Sequence, residues 1–242
     1  MTEFVCKAPS AELTLTEGVV DIWRLDLDPP DLVLEALETT LNVSERERAD
    51  RFRREILRRR FVAGRGYLRS ILGGYLSLDP AVIAFQYGPH GKPGMADLSL
   101  GIEFNLAHSK GIAICGLTLA NPIGVDIETG RPVEMAGRIM QRFFSKVEQA
   151  EFLATAAAER EAAFLRGWTR KEAFIKALGL GLAYPLDGFD VSLGPENPRI
   201  LRVGDDPEEA SRWSLADLAA GDAAALVVRG PIRGVREFRW ST

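Results

Sequence analysis

The hydrophobic pattern of this chain switches repeatedly between a period of two and a period near 3.6. GVVDIWRLDLD, Gly18 to Asp28, alternates and is rich in β-formers, which predicts a strand stopped by Pro29 and Pro30. From Asp31 to about Leu76 the spacing becomes helical, with Phe52, Ile56, Phe61, Leu68 and Leu72 on the buried side. AVIAFQYGPHGKPG reads as a strand entering a Pro/Gly loop, and IEFNLAHSKGIAICGLTLA as a strand pair turning near Ser109, Lys110 and Gly111. After Asn121–Pro122 come a short strand, GVDIE, and a helix opening at Ser145, where Ser145 and Glu148 fit a capping box. A further helix runs from about Glu159 to Leu178 and ends at Gly179, as a glycine C-cap would. AAALVVRG and GVREFRW predict strands in the tail.

Each half of the chain thus holds strands and helices, with no sequence repeat clear enough to establish a duplication. The order of elements predicts an α+β fold of two similar lobes, divided as 1–120 and 121–242. The 242 residues are enough to bury a substantial core, and 46% apolar with 26% charged residues excludes wholesale disorder. Cys6 and Cys115 are the two cysteines, which points to a reducing compartment without a disulfide framework. With His90 and His108 they cannot build an ordinary structural zinc site. The N-terminus lacks the basic start and apolar centre of a signal peptide, and the apolar run Gly111–Ala120 is about half a membrane span. The expectation is a cytoplasmic protein without a membrane segment.

Chemistry enters where the patterns are broken by charge. At about 100° of rotation per residue, Phe164, Trp168, Phe174, Ile175 and Leu178 share one arc of the 159–178 helix. Lys171 falls inside that arc, Glu172 near one edge and Lys176 just beyond it. Charges taken from water need partners or a bound ion, so these three are expected to line a seam, either as a structural ion pair between helix and sheet or beside a bound metal and phosphate. In GVDIE, residues two apart share a face, so Asp126 and Glu128 project together while Val125 and Ile127 enter the core. Two carboxylates side by side repel, and a divalent cation such as Mg²⁺ relieves the repulsion. A solvated acidic strand explains the pair equally well. Glu172 supplies a third carboxylate from a rigid helix, and Lys176 a cation for phosphate, the composition phosphoryl transfer uses.

Ten arginines against three acidic residues lie between Arg46 and Arg69, although the whole chain carries a net charge of -4. Such a segment can hold phosphates, bind nucleic acid, or form a solvated helix face. Gly91, Lys92 and Pro93 form a loop that lets a flat ligand approach the backbone. Asn105, His108 and Ser109 end a strand with polar groups suited to phosphate. The residues alone leave two other classes open, a Mg²⁺-dependent hydrolase of phosphoesters and a nucleic-acid-binding module built on the arginines.

Four stretches together resemble the 4′-phosphopantetheinyl transferases of the large, single-chain Sfp type. They are GKP at Gly91–Pro93, FNLAHS at Phe104–Ser109, GVDIE at Gly124–Glu128 and WTRKEAFIKALGLGL at Trp168–Leu182. The arginine-rich segment is similar in pattern, so the resemblance runs from about Val20 to Phe189. It implies two pseudo-symmetric lobes, each a small sheet packed with helices, in a monomer without nucleic-acid or membrane partners. It implies transfer of the phosphopantetheine arm of coenzyme A to a serine of an apo acyl or peptidyl carrier protein. Asp126, Glu128 and Glu172 would then hold Mg²⁺, or Mn²⁺. Glu172 would be the base toward the carrier serine, and Lys176 would bind the pyrophosphate. His108 would contact phosphates, Gly91, Lys92 and Pro93 would border the adenine, and Arg48 and Arg60 would reach the 3′-phosphate. The basic segment would offer a dock for an acidic carrier. One departure stands at Ala107, where the family motif carries a serine.

Overall fold

The computed structural model describes residues 13–130 and 136–240. Cys6, with residues 1–12 of the N-terminal segment judged above for a signal peptide, lies outside the described residues. In chain order the main elements are β1 (Val19–Asp26), α1 (Asp31–Thr39), α2 (Val43–Asp50), α3 (Glu55–Leu76), β2 (Phe85–Tyr87), β3 (Pro93–Met95), β4 (Ile102–Ser109), β5 (Ile112–Leu119) and β6 (Ile123–Glu128). They continue with α4 (Ala136–Phe143), α5 (Lys146–Ala154), α6 (Arg160–Leu178), β7 (Phe189–Val191), β8 (Ile200–Val203), β9 (Trp213–Asp217), β10 (Ala223–Arg229) and β11 (Gly234–Arg239). The fold is α+β, as expected.

The expected helical region of 31–76 is three helices rather than one. Asn42 caps α2 through a capping box with Glu45, and the chain turns again before α3. The Ser145–Glu148 capping box is present at the start of α5, and α6 ends on Gly179 at a left-handed φ of +71°. The strand expected from AVIAFQYG shrinks to the three residues of β2, preceded by a 3₁₀ turn.

Four strands form a sheet in the order β11-β1-β5-β4, and three form another in the order β6-β10-β9. The final strand, β11, therefore returns across the chain to pair in parallel with β1. Against the first sheet, α1 and α3 close a core around Trp23, Leu37, Tyr67, Ile71, Phe104 and Leu117. Against the second, α6 closes a core around Phe164, Phe174, Phe189, Trp213 and Val227. Alternation along the strands builds a third core between the sheets, from Val20, Ile22 and Ile114 on one side and Ile123, Val125, Ile127 and Leu226 on the other. Since Val125 and Ile127 face that seam, Asp126 and Glu128 must face the opposite way, toward α6.

Candidate active site

The position of α6 on β6 is set by a glycine. A Cβ at Gly124 would collide with the Ala173 carbonyl and the Ala177 nitrogen, so only glycine lets strand and helix backbones meet there. This close approach brings Glu172 and Lys176, one turn apart on α6, to the carboxylates of β6. Lys176 Nζ lies 2.5 Å from Asp126 Oδ1. Asp126 is only 7% exposed, and its Oδ2 is buried with no hydrogen-bond partner.

Asp126 and Glu172 both feel the neighbouring negative charge. Burial raises the pKa of Glu172, and the negative charges of Asp126 and Glu128 add to the rise against the opposing effect of Lys176. Asp126 is likewise raised by burial and by Glu128, with Lys176 pulling the other way. Asp126 Oδ2 is left buried without a partner, a gap in the hydrogen bonding that a divalent cation would fill. The donors are hard oxygens, one of them orphaned, so the residues fit Mg²⁺ chemically. As the side chains stand, no three His, Cys, Asp or Glu among the described residues surround one point as metal ligands. The Lys176 ammonium occupies the Asp126 oxygen instead.

Lys171 belongs elsewhere, which corrects the expectation that it lines the same seam. It is fully buried on the other side of α6, 2.9 Å from Glu148 Oε2, and donates to the carbonyls of Leu186 and Phe189. Its role is to tie α6 to the start of α5 and to β7.

The strand β4 holds β6 by side chains in place of a backbone ladder. Asn105 Oδ1 accepts the Val125 amide at 2.9 Å, and Ser109 Oγ accepts the Thr129 amide at 3.1 Å while lying 3.4 Å from Glu128 Oε2. Asn105 and Ser109, expected to suit phosphate, therefore brace the acidic strand from both ends.

Beside this seam a cleft of about 530 Å³ is lined by Arg48, Phe61, Arg60, Arg65, Tyr87, Gly91, Pro93, His108 and Lys110, among others. Five of the residues expected at coenzyme A thus share one cavity. His108 stands at its exposed rim, and its pKa is lowered by partial burial and by the charges of Lys176 and Arg60. The next residue, Ser109, lies 3.4 Å from Glu128 Oε2, so this rim of the cleft runs up to the acidic strand. Arg48 lies over the Phe61 ring at 5.2 Å, and Arg60 is held by both oxygens of Asp28 at 2.7 Å. Lys92 is not directed into the cleft: its ammonium donates to the Ile123 and Ala177 carbonyls.

Arg65, Tyr87 and Lys110 line the cleft without having been singled out in the sequence. Arg65 carries a signal that could have found it. Leu57, Phe61, Arg65 and Leu68 share one face of α3, and its guanidinium Nη1 is buried without a partner. An arginine inside an apolar stripe is the same break in pattern that exposed Glu172.

The family model for the 4′-phosphopantetheinyl transferase superfamily matches residues 122–228, the span from β6 to β10. The chain is 39% identical over 222 residues to the 4′-phosphopantetheinyl transferase HetI of Nostoc sp., covering 90% of this chain and 91% of that protein. It is 35% identical over 189 residues to the 4′-phosphopantetheinyl transferase psf-1 of Bacillus pumilus, covering 76% and 79%. To the 4′-phosphopantetheinyl transferase Sfp of Bacillus subtilis it is 36% identical over 165 residues, covering 68% and 72%.

Proposed function

The chain belongs to the 4′-phosphopantetheinyl transferase superfamily, and on that premise we propose how its residues move phosphopantetheine from coenzyme A to a carrier protein. The observation that supports the assignment of roles is the single cleft shared by Arg48, Arg60, Gly91, Pro93 and His108, beside whose His108 rim Ser109 reaches Glu128 Oε2 at 3.4 Å.

Coenzyme A enters with its adenosine end in the cleft. Gly91 and Pro93 border the base, and Arg48, Arg65 and Arg60 meet the 3′-phosphate, Arg60 by exchanging Asp28 for the ligand. His108 contacts the phosphates on the way to the seam, so the pyrophosphate arrives beside Lys176. Asp126, Glu128 and Glu172 hold Mg²⁺ or Mn²⁺, which neutralises pyrophosphate charge when bound. Glu172 accepts the proton of the carrier serine, directly or through water, and its raised pKa suits a base working near neutrality. The serine oxygen bonds to the β-phosphorus as the bond to the bridging oxygen breaks. Lys176 stabilises charge on the departing adenosine 3′,5′-bisphosphate. The carrier gains the phosphopantetheine arm.

For the carrier dock, Arg51, Arg53 and Arg54 are exposed, whereas the likewise exposed Arg46 donates to the Leu41 and Thr39 carbonyls and Arg48 lines the cleft. Arg58, Arg59, Arg60 and Arg69 are already held by acidic partners. A monomeric, cytoplasmic enzyme completes the reading. None of the described helices is long and apolar enough to cross a membrane.

Intact mass of an apo carrier after incubation with this protein, coenzyme A and Mg²⁺ tests the proposal. A gain of one phosphopantetheine arm, abolished by EDTA, is expected. Free phosphopantetheine from coenzyme A alone, with no carrier gaining mass, would identify a hydrolase instead.

A further inference from the structure

The β2–β3 hairpin loop carries Gly91 and Pro93 on the wall of the cleft, but the side chain between them leaves it. Lys92 Nζ is 2.9 Å from the Ile123 carbonyl and 3.4 Å from that of Ala177. Ile123 opens β6, three residues before Asp126, and Ala177 follows Lys176 in the last turn of α6. The Lys92 stem lies over Gly179, the C-cap of that helix, and His90 of the same loop faces Gly181.

The last carbonyls of a helix lack intrahelical partners and carry the negative end of its dipole. An ammonium there is favourable, yet a half-buried lysine whose hydrogen bonds among the described residues go to two carbonyls, with the Glu103 charge as its electrostatic support, is a costly way to cap a helix. What the arrangement adds is connection. One side chain joins a loop of the cleft to both elements that carry the carboxylates and Lys176.

We propose that Lys92 is a positioning residue that couples the coenzyme A loop to the transfer site by fixing the register of β6 against the end of α6, and is not a ligand of coenzyme A. This rests on the transferase reading. When the loop is held by bound coenzyme A, Lys92 transmits that order to Ile123 and Ala177, and through them to Asp126 and Lys176.

The test compares wild type, Lys92→Met and Lys92→Arg by carrier-modification kinetics, coenzyme A calorimetry and hydrogen exchange. With Lys92→Met, kcat should fall about tenfold while the Kd for coenzyme A stays within about threefold. Amides of residues 123–128 and 173–179 should lose the extra protection that coenzyme A confers on wild type, and Lys92→Arg should restore both readouts. A Kd raised about tenfold with kcat retained would make Lys92 a ligand and overturn the proposal. So would an unchanged kcat with unchanged exchange. If Lys92→Met does not fold, Lys92→Gln keeps one donor, and the same split between kcat and Kd decides. A wild type that binds coenzyme A but modifies no carrier would remove the transferase reading, whereas the exchange comparison would still stand or fall by itself.

Discussion

Lys176 Nζ lies 2.5 Å from Asp126 Oδ1, so an ammonium of α6 already neutralises a strand carboxylate on which the site depends. A cation arriving alone must compete with Lys176 for that oxygen. A pyrophosphate arriving with it offers Lys176 another anion and frees Asp126 for the cation. Magnesium and coenzyme A together should therefore raise the melting temperature by more than the sum of their separate shifts. Thermal scans with neither, each and both ligands measure this. Strictly additive shifts would mean that Lys176 never hands Asp126 over.

Adjacent residues of α6 should separate stability from chemistry. Lys171→Met leaves the Glu148 carboxylate buried without its ammonium, and breaking such a pair costs about 3–5 kcal/mol. Transfer per folded molecule should survive. Glu172→Gln removes a charge that Asp126 and Glu128 repel, so the fold should be as stable or slightly more so, while transfer drops by about 10² or more. Denaturant melts beside single-turnover rates distinguish them. Retained transfer in Glu172→Gln would take Glu172 out of the mechanism.

That pair also marks what the sequence could and could not reveal. A helical wheel reports that a charge lies on a buried arc, but not what it meets there. Lys171 and Glu172 both break the apolar pattern, yet one meets Glu148 from α5 and the other the carboxylates of β6, partners set by tertiary packing. The strand face of Asp126 was legible because a period of two leaves only two faces, and Val125 and Ile127 take the inner one. The capping box at Ser145 was legible because it is local. The bracing of β6 by Asn105 and Ser109 was not, since a side chain standing in for a sheet ladder has no spacing of its own. Nor was the return of β11 to β1, a pairing across nearly the whole chain.

His108 should make coenzyme A binding proton-linked. Burial, Lys176 and Arg60 lower its pKa in the free protein, so the folded state binds this proton less tightly than the unfolded chain. Free protein should thus lose stability as pH falls through the ordinary histidine range, about 6.5. A bound phosphate reverses the preference and favours the imidazolium. Binding between about pH 6 and 7 should therefore take up a proton and strengthen toward the acid side. Calorimetry in two buffers of different ionisation enthalpy counts that proton, and His108→Gln should abolish its uptake. Uptake unchanged in the variant would place His108 away from the phosphates.

Gly124→Ala tests whether the contact between α6 and β6 sets the site. The new methyl would press on the Ala173 carbonyl and the Ala177 nitrogen, both backbone atoms, so the helix itself must retreat. Overpacking of this kind costs about 1–3 kcal/mol. The larger effect should be chemical, because retreat of α6 draws Lys176 and Glu172 away from Asp126 together. A displacement of about 1 Å at reacting groups can lower a rate by about 10², while the cleft, built from residues up to Lys110, is left intact. The variant should thus lose far more in kcat than in its affinity for coenzyme A. Gly137→Ala is the control, since a Cβ there meets nothing within 4 Å, and it should keep wild-type rates. Full activity in Gly124→Ala, with its stability lowered, would show that α6 need not touch β6 for the carboxylates and Lys176 to work together.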